Sequence, residues 1–276
     1  MRLVGAHLDW CALRNLREST IYQRRRALTR LHRTTGGPLD LLDEPTLADW
    51  HRTLTRITPE ARHLEIVHVA QFFRWLVLEG HRDHDPTARL PRPKIRRRLP
   101  RPIPDADLAI ALAAAPDRVR PWLFLAAFSG LRAAEIAGLR REDVLERADP
   151  PVIVVVDGKG GKQRVVPLHP QVADALHALT GKRGPFWHNQ RTGAALPSHR
   201  VSQEANRFLH SVGVESTLHQ LRHWFGTEVY RATRDLRLTQ ELMGHASPVT
   251  TAGYAAFSPG RSADAVRALA VASTLL

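Results

Sequence analysis

The sequence predicts a mainly α-helical protein that carries one small antiparallel β-sheet. Over most of the chain, apolar residues recur at the three- or four-residue spacing that places them on one face of a helix. One stretch is instead typical of strands: the apolar run VIVVV at 152–156, the glycine-rich DGKGGK and then QRVVPL, which together predict a β-hairpin. Five prolines fall within LPRPKIRRRLPRPIP at 90–104, so two helical units joined by a linker are expected.

The balance of charge indicates a polyanionic partner. The 276 residues include 40 Lys and Arg against 27 Asp and Glu, a net charge of +13, and nucleic acid is a stronger candidate than a membrane surface. The single cysteine excludes an intramolecular disulfide and a cysteine-based zinc site. Residues 1–30 lack the apolar core of a signal peptide, and no apolar run is long enough to cross a bilayer. We therefore expect a cytoplasmic protein.

Residues 1–90 are predicted to form a bundle of four or five helices. In STIYQRRRALTRLHRTTGG, Ile21 and Leu28 share an apolar face, arginines lie elsewhere, and the helix ends at Gly36. TLADWHRTL and PEARHLEIVHVAQFFRWLVLEG repeat this pattern, with Leu64 and Phe73 near the core stripe of the latter. The basic segment 91–104 is expected to follow a phosphate backbone. The candidate DNA contacts in these two segments are Arg24, Arg25, Lys94, Arg96, Arg97 and Arg98.

Residues 105–276 are predicted to form the second domain. DADLAIALAAA, PWLFLAAFSG and LRAAEIAGL predict three helices before the hairpin. Pro170 suits the first position of a further helix, and TLHQ at 217–220 is a capping box that begins another. Four helices after the hairpin are expected near 170–180, 198–212, 217–231 and 234–243, and the apolar stretch at 262–276 predicts one more.

Two kinds of cofactor site are poorly matched. His219 and His223 have the spacing of zinc ligands and His245 could be a third, but a glutamine stands where HExxH proteases carry their general base. The sequence GKGGK is followed by Gln163 and flanked by strands, whereas a P-loop needs Ser or Thr and a strand followed by a helix. No metal and no nucleotide cofactor are therefore predicted.

The remaining unusual residues fit phosphoryl transfer from DNA to a tyrosine. Attack on a phosphodiester builds negative charge that fixed, forked cations can stabilise, and Arg132 and Arg222 are the candidates. A lysine at a hairpin tip, Lys159, can protonate the leaving oxygen. Tyr254, at the end of TTAGY, can act as the covalent nucleophile.

Four motifs carry a resemblance to a known family. SGLRAAEIAGL, GKGGKQRVVPL, HQLRHWFGT and LMGHASPVTTAGY, in this order, resemble the tyrosine recombinase (phage integrase) family, in its simple two-domain type. The resemblance implies a helical core-binding (SAM-like) DNA-binding domain at 1–90, a basic linker at 91–104 and the catalytic domain at 105–276. It implies catalytic roles for Arg132, Lys159, His219, Arg222, His245 and Tyr254, a supporting role for Glu135, and leaves Lys162 and Arg164 as DNA contacts beside Lys159.

The function implied by this resemblance is site-specific DNA recombination. Duplex DNA would be cut and rejoined through a 3′-phosphotyrosyl link, without metal or ATP, by a tetramer acting on two sites. The helix predicted at 262–276 would dock on the next copy or pack on its own domain. Two alternatives are kept open, a topoisomerase-like enzyme that nicks and relaxes DNA and a catalytically idle DNA-binding regulator.

Overall fold

The computed structural model describes residues 2–95, 99–156, 163–179, 181, 183–188, 192–194 and 196–244. The chain divides into two compact units, Met1–Arg97 and Arg98–Leu276. Both are built mainly of helices, and a three-stranded antiparallel sheet lies in the second, so the predicted fold class is confirmed. Among the described residues, no helix is both long and apolar enough to span a membrane.

The described part of the first unit contains four α-helices. They are α1 (Arg2–Leu13), α2 (Glu18–Thr35), α3 (Glu44–Thr53) and α4 (Pro59–Leu78). Their ends follow local signals: Gly36 ends α2 in the left-handed conformation with φ 73°, and the Asp43 side chain accepts the Thr46 N–H at 2.9 Å to cap α3.

Helix α4 supplies much of the core of the first unit. Its buried positions form one stripe that begins at Ile66 and includes Phe72 and Phe73. Leu64 is 56% exposed, so its predicted place in this core is wrong. Since two positions correspond to about 200° around a helix, Leu64 faces away from the stripe that Ile66 begins.

The second unit holds the remaining described helices and the sheet. The helices are α5 (Asp105–Ala114), α6 (Arg120–Phe128), α7 (Ala133–Gly138), α8 (Pro170–His177), α9 (Ser198–Ser211), α10 (Leu218–Thr233) and α11 (Leu236–Met243). The sheet runs β1 (Val144–Leu145), β2 (Val152–Val156), β3 (Gln163–Pro167), and Val154 pairs with Val165. Pro170 does begin α8, and the capping box between Thr217 and Gln220 does begin α10.

The core of the second unit positions the site. The nearly wholly apolar helix α6 packs against α8 and α10, with Trp122 and Leu125 fully buried. One face of the sheet packs against the same core, where the side chains of Val155 and Val166 are buried. Because side chains alternate along a strand, Arg164 on β3 points to the same side as Val166. One carboxylate, that of Glu135, lies where four elements meet: the start of α7, the strand β3, the helix α10 and the end of α11.

Candidate active site

Glu135 lies at the centre of the site. It is the third residue of α7, and its Oε2 accepts the backbone N–H of Arg132 at 2.7 Å, which caps the helix. Its Oε1 accepts Nη1 of Arg132, also at 2.7 Å. The Glu135 side chain is only 4% exposed, so this carboxylate is an internal anchor of the site.

Arg164 binds the same carboxylate with both prongs of its guanidinium. Nη1 donates to Oε1 of Glu135 and Nη2 to Oε2, each at 2.8 Å, while Nε donates to the Leu242 carbonyl at 2.8 Å. The side chain is 9% exposed. The structure therefore corrects the prediction that Arg164 contacts DNA phosphates, because its donors already serve protein oxygens inside the domain.

Arg222 approaches Glu135 from α10. Its Nη1 lies 3.6 Å from Glu135 Oε2 and also donates to the Gly130 carbonyl, and its Nη2 donates to the Met243 carbonyl. The side chain is 1% exposed. Gly130 has φ 62°, and a Cβ there would overlap the Phe225 ring, so glycine is needed where the Gly130 carbonyl turns toward Arg222.

Arg132 is the arginine of this group that reaches solvent. Its side chain is 35% exposed, and its Nη2 donates to the Gly244 carbonyl at 3.0 Å. Arg164, Arg222 and Arg132 thus bind the successive carbonyls of residues 242, 243 and 244. The C-terminal end of a helix carries partial negative charge, so the end of α11 suits this cluster of cations.

The arginines determine the charge of Glu135. Burial by itself would raise the pKa of this carboxyl, but the hydrogen bonds and charge of Arg164, with the backbone N–H of Arg132 and the charge of Arg222, lower it to about 2. Glu135 is therefore an anion throughout the physiological range. One negative charge against three guanidinium groups leaves the cluster with a positive excess, which is suited to a phosphate.

Two histidines extend the site along α10. The rings of His219 and His223 are 4.4 Å apart, and His219 reaches solvent while His223 is half-buried. Partial burial and then the charges of Arg222 and Arg132 lower the pKa of His219. Burial and the neighbouring His219 and Arg222 lower that of His223 to about 4. His219 is thus a neutral ring at neutral pH, able to donate or accept a hydrogen bond.

The pairing of His219 with His223 does not extend to a metal cluster in the described part of the chain. There, no three side chains of His, Cys, Asp or Glu come together as metal ligands would. The zinc alternative would need His245, which lies outside the described residues. So do several other predicted positions, namely Lys159, Lys162, Tyr254, Arg96, Arg97, Arg98 and the helix expected at 262–276.

The first unit corrects one predicted DNA contact and leaves two others exposed. Arg24 is only 8% exposed, and its Nη1 donates to the Cys11 sulfur at 2.9 Å, so it is a buried residue of the bundle and is not available to phosphates. Arg25 and Lys94 are exposed, as predicted contacts must be. Arg25 also helps to line a shallow basic groove on α2, together with Arg26, Thr29, Arg30 and Arg33.

The structure brings together Arg132, Glu135, His219 and Arg222 among the predicted site residues, and Arg164 was not predicted as their partner. Glu135 and Arg164 are 29 residues apart and lie on different elements. The alternation in β3, in which Arg164 takes the same side as the buried Val166, was the available signal. A cationic site of arginines and a neutral histidine, built at the ends of helices in a mainly helical domain, is chemically suited to binding a phosphodiester.

Comparison with known proteins identifies the family. The phage integrase family matches residues 107–261, more than half of the chain. The tyrosine recombinase XerD of Lacticaseibacillus casei is 33% identical over 67% of this chain and 68% of its own length. XerC of Rhodospirillum centenum is 37% identical over 67% of this chain and 59% of its own length. The chain therefore belongs to the phage integrase family of tyrosine recombinases.

Solved structures support the same fold. A lambda integrase fragment, in a dimer bound to a COC′ core site, superposes with a TM-score of 0.72 at 19% identity, covering 92% of this chain and 94% of that one. The XerH site-specific recombinase bound to its palindromic difH substrate gives 0.71 at 20% identity, covering 92% and 81%. At this level of identity the likeness concerns the fold alone.

Proposed function

We propose that this recombinase performs site-specific recombination of duplex DNA through a 3′-phosphotyrosyl intermediate formed on Tyr254. The observation that carries the proposal is the pair Arg132 and Arg222 at Glu135, with His219 close enough to both arginines for their charges to lower its pKa. Such a cluster can bind one phosphate and stabilise the charge that develops when it is attacked. The relatives XerD and XerC are tyrosine recombinases, which supports the same chemistry.

In the proposed reaction, the Tyr254 oxygen gives up its phenolic proton to solvent as it attacks the phosphorus, and the bond to the 5′ oxygen breaks. Arg132 has an exposed guanidinium and binds a non-bridging oxygen directly. His219, neutral at physiological pH, donates a hydrogen bond to the phosphate. Lys159 gives a proton to the leaving 5′ oxygen. The phosphotyrosyl link preserves the energy of the phosphodiester, so rejoining needs neither ATP nor, in this scheme, a metal.

Arg222 needs a rearrangement before it can act in this way. In the structure its Nη atoms donate to the carbonyls of Gly130 and Met243, and the side chain is 1% exposed. A phosphate oxygen is a stronger acceptor than a carbonyl, because its hydrogen bonds are charge-assisted. We propose that the scissile phosphate takes the place of the Met243 carbonyl as a partner of Arg222, and that the last turn of α11 shifts when DNA binds.

The rest of the chain is proposed to hold the DNA. Residues 1–90 form the DNA-binding domain, with the basic groove on α2 against phosphates, and the basic linker 91–104 follows the backbone into the catalytic domain at 105–276. A tetramer on two sites performs the exchange in the cytoplasm, at the nucleoid. A lambda integrase tetramer bound to a Holliday junction provides the precedent for this assembly.

The proposal is tested by selecting tightly bound duplexes from a random pool and placing the selected sequence in supercoiled plasmids. A plasmid with two copies should yield recombinant products in EDTA and without ATP, and a plasmid with one copy should not. Relaxation of both plasmids without recombinants would favour a topoisomerase-like enzyme. Binding with neither outcome would favour a regulator that does not cut DNA.

A further inference from the structure

We infer that Arg164 is a positioning residue for the DNA-cleaving site, one that fixes the direction in which Arg132 points and the path of the chain as it leaves α11. This inference rests on the proposed function, because it gives Arg164 a role only through Arg132 and the cleavage reaction. Arg164 itself is too buried to touch DNA, at 9% side-chain exposure.

The contacts of Arg164 fix its guanidinium in one orientation. Two parallel hydrogen bonds of 2.8 Å to Glu135 define the plane of the group, and the Nε bond of 2.8 Å to Leu242 defines its rotation within that plane. Lysine cannot reproduce this arrangement, since its ammonium is a point charge without a planar fork. The strand β3 is joined in this way to both α7 and α11.

Glu135 passes this constraint on to Arg132. Each of its oxygens accepts one donor from Arg164 and one from Arg132, with distances between 2.7 and 2.8 Å. Without Arg164, each oxygen would lose one of these two partners, and the carboxylate could rotate about its terminal torsion. The guanidinium of Arg132 would then lose the fixed acceptor that aims it.

The charge of Glu135 depends on Arg164 as well. The hydrogen bonds and charge of Arg164 are the largest of the effects that lower the pKa of this buried carboxyl. Burial raises the pKa of Glu135, and without Arg164 fewer effects offset it. The pKa of Glu135 therefore rises in a variant that lacks Arg164. A protonated Glu135 can no longer form an ion pair with Arg132, and this adds a loss of activity in acid to the pH dependence of the wild-type site.

Arg164 also fixes the end of α11. Its Nε binds the Leu242 carbonyl, and Gly244, with φ 61°, packs so closely that a Cβ would lie 2.8 Å from Nη1. Gly244 in turn gives its carbonyl to Arg132. Arg164, on β3, therefore contacts residues 242–244, which immediately precede His245 in the sequence.

The test compares Arg164→Met and Arg164→Lys with wild type and with Arg118→Met, which removes a surface ion pair with Glu204. The measured quantities are DNA affinity, thermal unfolding and the single-turnover rate of covalent complex formation on a nicked duplex, from pH 5 to pH 8. Arg164→Met should bind DNA like wild type but cleave about 100-fold more slowly, as expected for a misplaced catalytic group. Its rate should fall further toward pH 5, relative to wild type.

Arg164→Lys and Arg118→Met separate a loss of positioning from a loss of charge or of stability. Arg164→Lys retains the charge beside Glu135, so it should restore the pH profile of the wild type and part of the rate. It serves the same purpose if Arg164→Met does not fold. Arg118→Met should match wild type. Wild-type cleavage by both Arg164 variants would overturn the inference, and so would a loss that is equal at every pH and follows the fraction unfolded. Absence of any covalent complex with the wild type would instead overturn the proposed function.

Discussion

Nη2 of Arg132 lies 3.0 Å from the carbonyl oxygen of Gly244, a residue 112 positions later in the chain. This bond joins the start of α7 to the end of α11, whose preceding carbonyls are bound by Arg164 and Arg222. Three guanidinium groups therefore hold the point from which the chain continues toward His245 and Tyr254. The geometry of Gly244 should matter for DNA cleavage even though glycine has no side chain to contribute.

Gly244→Ala should impair cleavage more than DNA binding. Its left-handed backbone is unfavourable for alanine by about 1 kcal/mol, and the new Cβ would press on the Arg164 guanidinium. We expect a stability loss of that size, together with roughly tenfold slower formation of the covalent complex. The control is Gly138→Ala, because nothing lies within 4 Å of a Cβ at Gly138. Equal cleavage rates for the two variants would contradict the role assigned to the end of α11.

Neighbouring arginines on α2 should behave in opposite ways. Arg25 is exposed in the basic groove, so Arg25→Ala should reduce the slope of log affinity against log salt by about 0.9 and leave stability nearly unchanged. Arg24 is buried against Cys11, so Arg24→Met should change the stability of the first unit and leave the salt slope intact. Salt titrations of DNA binding and urea unfolding measure both effects. A reduced slope in Arg24→Met would mean that this side chain reaches DNA after all.

Acid should destabilise the first unit through His7. The ring is fully buried, 5.1 Å from Trp75 and 5.5 Å from Phe72 between centroids, and burial followed by the charge of Arg24 lowers its pKa to about 4. Unfolding restores the usual value near 6.5, so the unfolded chain takes up the proton first. The stability due to neutral His7 is therefore complete above pH 6.5 and is lost as the pH falls toward 4.

The matching variant is His7→Phe, which keeps an aromatic ring and removes the titration. Between pH 7 and pH 4 the wild type should lose roughly 3 kcal/mol more of its unfolding free energy than the variant does. Urea unfolding at a series of pH values measures the difference. Parallel losses in the two proteins would show that His7 does not titrate on unfolding.

Local signals were sufficient to predict most of the helices. Pro59 and Pro170 begin α4 and α8, Gly36 ends α2, and the capping box at Thr217 begins α10. Each of these helix ends depends on the conformational preferences of a few adjacent residues, so it can be predicted from the local sequence. The short strand β1 (Val144–Leu145) was not predicted, because two residues carry no alternation to detect.

Long-range pairing explains why the predictions for two arginines failed. Arg24 and Arg164 were both expected at the surface, since an arginine in a short motif is usually solvated. Their partners are Cys11 on another helix and Glu135 on another element, at separations of 13 and 29 residues. Such pairings cannot be predicted from a single sequence, because they depend on how the elements pack. By contrast, Arg132 with Glu135, and His219 with Arg222, lie one helical turn apart and could be paired from spacing alone.

The most direct measurement of the central claim is the covalent adduct formed by Tyr254. On a nicked duplex whose short fragment diffuses away after attack, the wild type should accumulate a protein–DNA complex that survives denaturation. Tyr254→Phe removes the attacking oxygen and leaves the arginine cluster in place, so it should bind the same duplex with unchanged affinity and give no adduct. An adduct that persists in Tyr254→Phe would contradict this account, because another residue would then be the nucleophile.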